Sequence, residues 1–275
     1  MAHPHHAAFE SFSVSAALIL LAFIYALGWV RIRRLGQTTI EGWRAASFLI
    51  ALFFIWVAVA SPIAALEHEL LTVHMVQHLL LMTFAAPLIW LGAPVMPFLH
   101  GLALRPLLRW KAITYLGRAL VRPAFSGFAA TAVLLGWHIP AAFRLALHSP
   151  AWHVFEHASF LTAGLLFWWP VVRPWPSAPL GARWSILLYL FLSTLPCDLL
   201  AAFLVFSERI AYPVYLSTSG HSGLSVLADQ ELAGALMWTC VTLVYLVPAA
   251  IISMKLLAPR NTQEDEQMQK SIEVA

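Results

Sequence analysis

Charge is scarce in this 275-residue chain: 11% of its residues are Asp, Glu, Lys or Arg, against roughly 25% in a soluble domain. With 61% hydrophobic residues and a mean hydropathy of +0.78, a water-soluble fold could not hide the apolar surface. Cysteine is nearly absent. Cys197 and Cys240 sit in apolar runs without CxxC spacing, which leaves no disulfide framework and no cysteine zinc site. Each reads as a small buried apolar residue. The N-terminus, MAHPHHAAFE, lacks a basic n-region and a clear cleavage site, so the first apolar run reads as a retained helix. GxSxG, HExxH and a phosphate-binding glycine loop are missing, so no hydrolytic constellation is visible and the chain reads as a non-enzyme. It shows no internal repeat and no second, soluble domain.

What is there is a series of apolar runs, several reaching the roughly 18–20 residues that cross a bilayer. They predict an all-α, polytopic membrane bundle of about seven transmembrane helices, at 12–30, 43–61, 71–92, 123–140, 151–172, 182–206 and 229–257. Pro62, Pro94, Pro123, Pro140, Pro150 and Pro174 punctuate them. The basic stretch Leu99–Arg122 reads as a surface segment, and residues 261–275 as a disordered cytoplasmic tail. The net charge of +3 is topology information and no sign of nucleic acid. On this helix count one side of the bilayer collects 14 of the 16 Lys and Arg, leaving Arg144 and Arg209 opposite. The positive-inside rule then puts the N-terminus outside and the C-terminus in the cytoplasm.

Of the 12 histidines, only His100 falls on the cytoplasmic side. His3, His5 and His6 are in the N-terminal tail, where they are solvated or capture metal loosely. His68 precedes the third helix, His138 ends the fourth, and His148 and His221 are placed in outer loops. His74-Met-Val-Gln-His78 and His153-Val-Phe-Glu-His157 are both HxxxH. Residues four apart share a helix face, and both pairs start at the outer end of their helix, at similar depth and level with His138. Such imidazoles suit copper, zinc, iron or nickel. Met82 and Met237, and less well Met75, add soft donors for Cu(I). A single pair, by contrast, arises often by chance.

Asp198 lies inside the sixth predicted helix, where a carboxylate is costly and faces the bundle interior. It is a candidate ligand, a support for a histidine or a proton carrier. Asp229, Gln230 and Glu231 open the last helix; Asp229 is a further candidate ligand, though acidic residues there also complement the helix dipole. Glu67, Glu69 and Glu156 are outer-face carboxylates given no role. Trp137, Trp152, Trp168, Trp169 and Trp175 fit interfacial aromatic belts, and Ala233-Gly234-Ala235 permits close helix contact.

The string HMVQHLLLMTFAAPLIWLGAP (74–94) resembles the signature of the CtaG family, the multi-pass assembly factors of caa3-type cytochrome c oxidase. WHIP (137–140), WHVFEHASFLTAGLLFWWPV (152–171), TLPCDLLAAFLVFS (194–207) and DQELAGALMW (229–238) are similar to later blocks of that family. The resemblance implies a bacterial plasma-membrane protein that helps install copper in the haem–copper catalytic subunit. It implies as partners that subunit or other oxidase assembly factors, within the lipid bilayer. The positions that match are His74, His78, His138, His153, His157, Asp198, Asp229 and Gln230; the family brings no agreed copper ligands. A second group sharing the CtaG name has one transmembrane helix and a soluble domain with paired cysteines, and this chain has neither.

Three other readings stay open. A haem protein would take axial histidines from opposing helices, for which same-face i,i+4 pairs are ill suited. A copper or proton-coupled transporter would use Asp198, with Pro196 breaking its helix. A scaffold would need no histidine chemistry at all.

Overall fold

The structure is a computed structural model that describes residues 4–35, 41–102, 122–172, 183–217 and 223–257, and all regular structure among them is helical. The helices are α1 (Pro4–Arg34), α2 (Gly42–Val59), α3 (Leu71–Leu91), α4 (Val95–Gly101), α5 (Pro123–His138), α6 (Pro140–His148), α7 (Pro150–Val172), α8 (Arg183–Phe206) and α9 (Val226–Leu257). Single 3₁₀ turns lie at Ala64–His68 and Pro213–Ser217. The predicted tail, and most of the predicted surface segment, fall outside the described residues.

Among the described residues, five helices are long and apolar enough to cross a membrane, and six if α5 and α6 count as one broken span. The expectation of seven spans is met to that extent. The remaining long helix, α7, has 23 residues, about 34 Å at 1.5 Å each. His153, Glu156 and His157 dilute its apolar character, and it falls outside that set.

Prolines set the breaks. Pro140 starts a new helix behind an extended Ile139 (ψ 125°), and α5 and α6 meet at 75°. Residues 141–148, expected to be loop, are therefore helical from Pro140 onward: proline's fixed φ suits the first helical position. His148 closes that helix. Pro87 acts differently. It has no N–H to offer the preceding turn, and α3 widens into a π turn over Leu80–Ala85 where a straight helix was expected. The Ala86 N–H bonds Leu81 O, five residues back. Met82 O is left over and takes the Trp168 indole N–H at 3.0 Å. Trp168, expected in an interfacial belt, is buried in this bond. Gly164 makes it possible, since a Cβ there would sit 2.8 Å from the Met82 backbone.

The described residues pack into two main cores, with a smaller cluster of Trp137, Ala146 and Phe160 beside the second. In one, α1, α2 and α4 close around Tyr25, Phe48 and Phe98: Tyr25 stacks on Phe48 at 4.1 Å and meets Phe98 edge-on. A Cβ on Gly28 would lie 1.8 Å from Pro97 O, so only glycine lets α1 and α4 approach this closely. Arg31 donates to the carbonyls of His100 and Gly101. The larger core lies between α3, α5, α7, α8 and α9. Ala201, Leu204 and Ala233 are fully buried where α8 meets α9. The histidines sit at one end of this second core.

Candidate metal centre

Four elements build the site. α3 supplies His74 and His78 from the turns ahead of its π segment. α7 supplies His153, Glu156 and His157, which share a face at i, i+3 and i+4. The 3₁₀ turn brings Glu67, and α5 ends on His138 at the elbow. Ring centroids are 4.4 Å apart for His74–His78, 4.2 Å for His153–His157, 6.0 Å for His74–His153, 5.7 Å for His78–His157 and 6.5 Å for His78–His138. The two HxxxH faces thus converge in one place, together with His138.

Two carboxylates that the sequence left without a role complete the set. Glu156 Oε1 lies 3.4 Å from His74 Nε2 and 3.5 Å from His78 Nε2. Glu67 Oε2 lies 3.2 Å from His153 Nε2. The signal for Glu156 was the HxxEH spelling of the second pair, a metal-binding pattern in its own right. Here its carboxylate turns to the imidazoles of α3. Glu67 carried no comparable signal, because nothing in Glu67-His68-Glu69 says which carboxylate turns inward. Tyr215 donates to Glu67 O and Gln77 to Ala64 O, and these bonds hold the turn so that Glu67 is buried and Glu69 exposed. Burial on its own raises the Glu67 carboxyl. His153, through a hydrogen bond and its charge, and Gln77 outweigh burial and hold it down at about 2.

The donors point at one another and leave lone pairs open. His138 Nδ1 donates to Leu134 O at 2.7 Å, which fixes the tautomer and frees Nε2 as a ligand atom. His74, His78, His138, His157 and Glu156 are at least nine-tenths buried, and each has a nitrogen or oxygen without a hydrogen-bond partner. Each such atom costs about 1–3 kcal/mol. Eight such atoms lie on these five residues, a cost comparable to or above the roughly 5–15 kcal/mol that holds a domain together. Two triads have ligand atoms all within 4.8 Å of one another: Glu67, His153 and His157, and His74, His153 and Glu156.

Below the triads, His78 and His138 open onto a cavity of about 40 Å³ whose walls include Met75, Met82, Met237 and Cys197. That volume takes an ion or a water, and a porphyrin is far larger.

The remaining candidates fall elsewhere. Both Asp229 oxygens accept N–H groups opening α3, from Leu71 at 2.6 Å and Thr72 at 3.1 Å; the residue caps a neighbouring helix. Gln230 ties Ala211, Leu204 and Arg209. Asp198 is half-buried on α8 and belongs to neither triad, although its Oδ1 has no hydrogen-bond partner. His221 and His3 lie outside the described residues.

A helical bundle with several membrane-length apolar helices, closed at one end around imidazoles and carboxylates, defines a polytopic membrane protein with a buried candidate metal centre. The model of the cytochrome c oxidase caa3 assembly factor family, Caa3_CtaG, matches residues 23–258. The chain belongs to that family. It is also 24% identical over 258 residues to an uncharacterized protein of Mycobacterium leprae, covering 89% of this chain and 38% of the relative. Uncharacterized proteins of Mycobacterium bovis and Mycobacterium tuberculosis are each 26% identical over 256 residues, covering 87% of this chain and 38% of theirs. The chain thus spans less than half the length of these curated relatives. No solved structure matches.

Proposed function

We propose that this protein serves oxidase assembly by holding copper as cargo in the histidine centre and delivering it to the haem–copper catalytic subunit. One observation carries the reading: five imidazoles from three helices converge with two carboxylates, and His74, His78, His138, His157 and Glu156 each bury an atom without a hydrogen-bond partner. Imidazole nitrogen suits copper, and the methionine sulfurs lining the adjoining cavity suit Cu(I). Three donors per position leave coordination open, and an open site releases its ion more readily than a closed four-ligand one. Following the positive-inside rule, the centre sits near the outer leaflet of the bacterial plasma membrane, and the catalytic subunit docks within the bilayer to collect the ion. The small cavity and the same-side clustering of the imidazoles speak against haem as the cargo.

The test is the metal content of the oxidase in a deletion strain complemented with the wild-type chain or with His74→Ala/His78→Ala. Loss of oxidase copper with haem retained, in the variant strain, is the expected result. Full oxidase copper with those imidazoles gone sinks the proposal in favour of a scaffold. A Soret band in the purified protein moves the reading to haem.

A further inference from the structure

We infer that the centre is a relay with two successive positions for a single ion, and that His153 is the ligand common to both. The inference rests on the reading of the cluster as a metal site and adds how an ion moves through it.

The two triads are Glu67, His153 and His157, and His74, His153 and Glu156. They have the same composition, two imidazoles and one carboxylate, and they overlap at one residue. Each triad draws one ligand nitrogen from His153, and one nitrogen binds one ion at a time, so a nitrogen common to both keeps the two triads from being complete at once. They differ modestly in exposure. His68, 3.6 Å from the Glu67 carboxylate, has a side chain 59% exposed. The side chains of His153 and Glu67 are 18% and 10% exposed. Those of His74 and Glu156 are fully buried. His157 of the first triad is 8% exposed, so the ligands peculiar to that triad are slightly exposed and those peculiar to the second are not, and the first is the outer position.

The matched composition is what a relay needs. An ion stripped of water in a low-dielectric interior is stable only beside compensating charge. Moving from the outer to the inner position, it exchanges the Glu67 carboxylate for that of Glu156, and the His157 imidazole for that of His74, while keeping His153. Donor count and net charge are the same before and after. No electron is transferred and no bond other than the coordination bonds is made or broken. The next imidazole along, His78, already lies 3.5 Å from the same Glu156 oxygen and lines the cavity that holds Met82 and Met237. The inner position is thus the one that communicates with the bundle interior.

The experiment uses the full chain in detergent, with Cu(II) as the probe and EDTA as the competing chelator. Stoichiometry comes from elemental analysis, exchange rates from stopped-flow absorbance, and ligands from electron paramagnetic resonance. The wild type is expected to bind one copper per chain and to release it slowly. Glu156→Gln confines the ion to the outer triad and should raise the release rate at least 10-fold at unchanged stoichiometry. Glu67→Gln removes the outer position and should slow loading at least 10-fold. His74→Ala and His157→Ala repeat these two outcomes without touching a carboxylate, should either glutamine variant fold poorly. Two coppers bound at once in the wild type overturn the shared-ligand relay and leave a metal centre of two independent sites. So do loading and release rates unmoved by both kinds of variant. A folded wild type that binds no copper removes the relay and the proposed function together.

Discussion

Tyr25 and His74 are both fully buried, at 1% and 0% exposure, and they are treated in opposite ways. The Tyr25 hydroxyl donates to Gly92 O at 2.8 Å and its ring is stacked on Phe48. Neither nitrogen of His74 has a hydrogen bond. The core of α1, α2 and α4 follows the general rule that a buried polar atom finds a partner. The core around α3 and α7 breaks that rule mainly at the histidine end, with imidazoles and carboxylates; Gln77 Oε1 and, on α8, Asp198 Oδ1 also lack partners. The contrast teaches that most of the unpaired atoms cluster at that end.

The comparison is broken most completely by removing the α3 pair. His74→Ala/His78→Ala should lower copper bound to the purified protein at least 10-fold. The apo form should lose thermal stability, because two buried rings leave a cavity and Glu156 loses both imidazole partners. Elemental analysis and melting curves on one sample check both. In the other core, Gly28→Ala drives a methyl into the Pro97 carbonyl, which cannot yield. The expected loss is ~3 kcal/mol or more, seen as a lower melting temperature in detergent with copper stoichiometry per folded chain unchanged.

Acidity sharpens the contrast next. Glu67 is held at about 2, below the ordinary 4.5. Its contribution to apo stability is therefore complete above pH 4.5 and is lost as the pH falls through 2. Glu67→Gln should flatten that part of the stability–pH curve, by a few kcal/mol of slope in total. The smallest effect is Tyr25→Phe, which removes one hydrogen bond and keeps the stacking. It should cost about 1 kcal/mol in an unfolding titration and leave copper release rates alone.

How far the site was legible follows from the kind of signal each part carries. His74 with His78, and His153 with His157, announce themselves by spacing, and their common depth follows from where each apolar run begins. Glu156 was readable from HxxEH but was passed over beside the plainer HxxxH. Glu67 depends on a 3₁₀ turn held by Tyr215, 148 residues away in sequence, which no local pattern encodes. Asp198 drew attention because an intramembrane carboxylate is costly, but that cost says only that it faces inward and not toward which cavity. The π turn needed the consequence of Pro87 to be followed back to Ala86 and Met82. The elbow needed Pro140 to be read as a beginning as well as an end.

That elbow folds α6 over the histidine end. Phe143, 1% exposed, lies edge-on to His74 with ring centroids 4.8 Å apart and packs on Tyr212 at 4.2 Å. This aromatic roof covers the deep imidazoles. Under the proposed copper reading, an ion sheds its hydration shell or carrier at the rim, beside His68 and Glu67, and the fold then favours bare ions over their complexes.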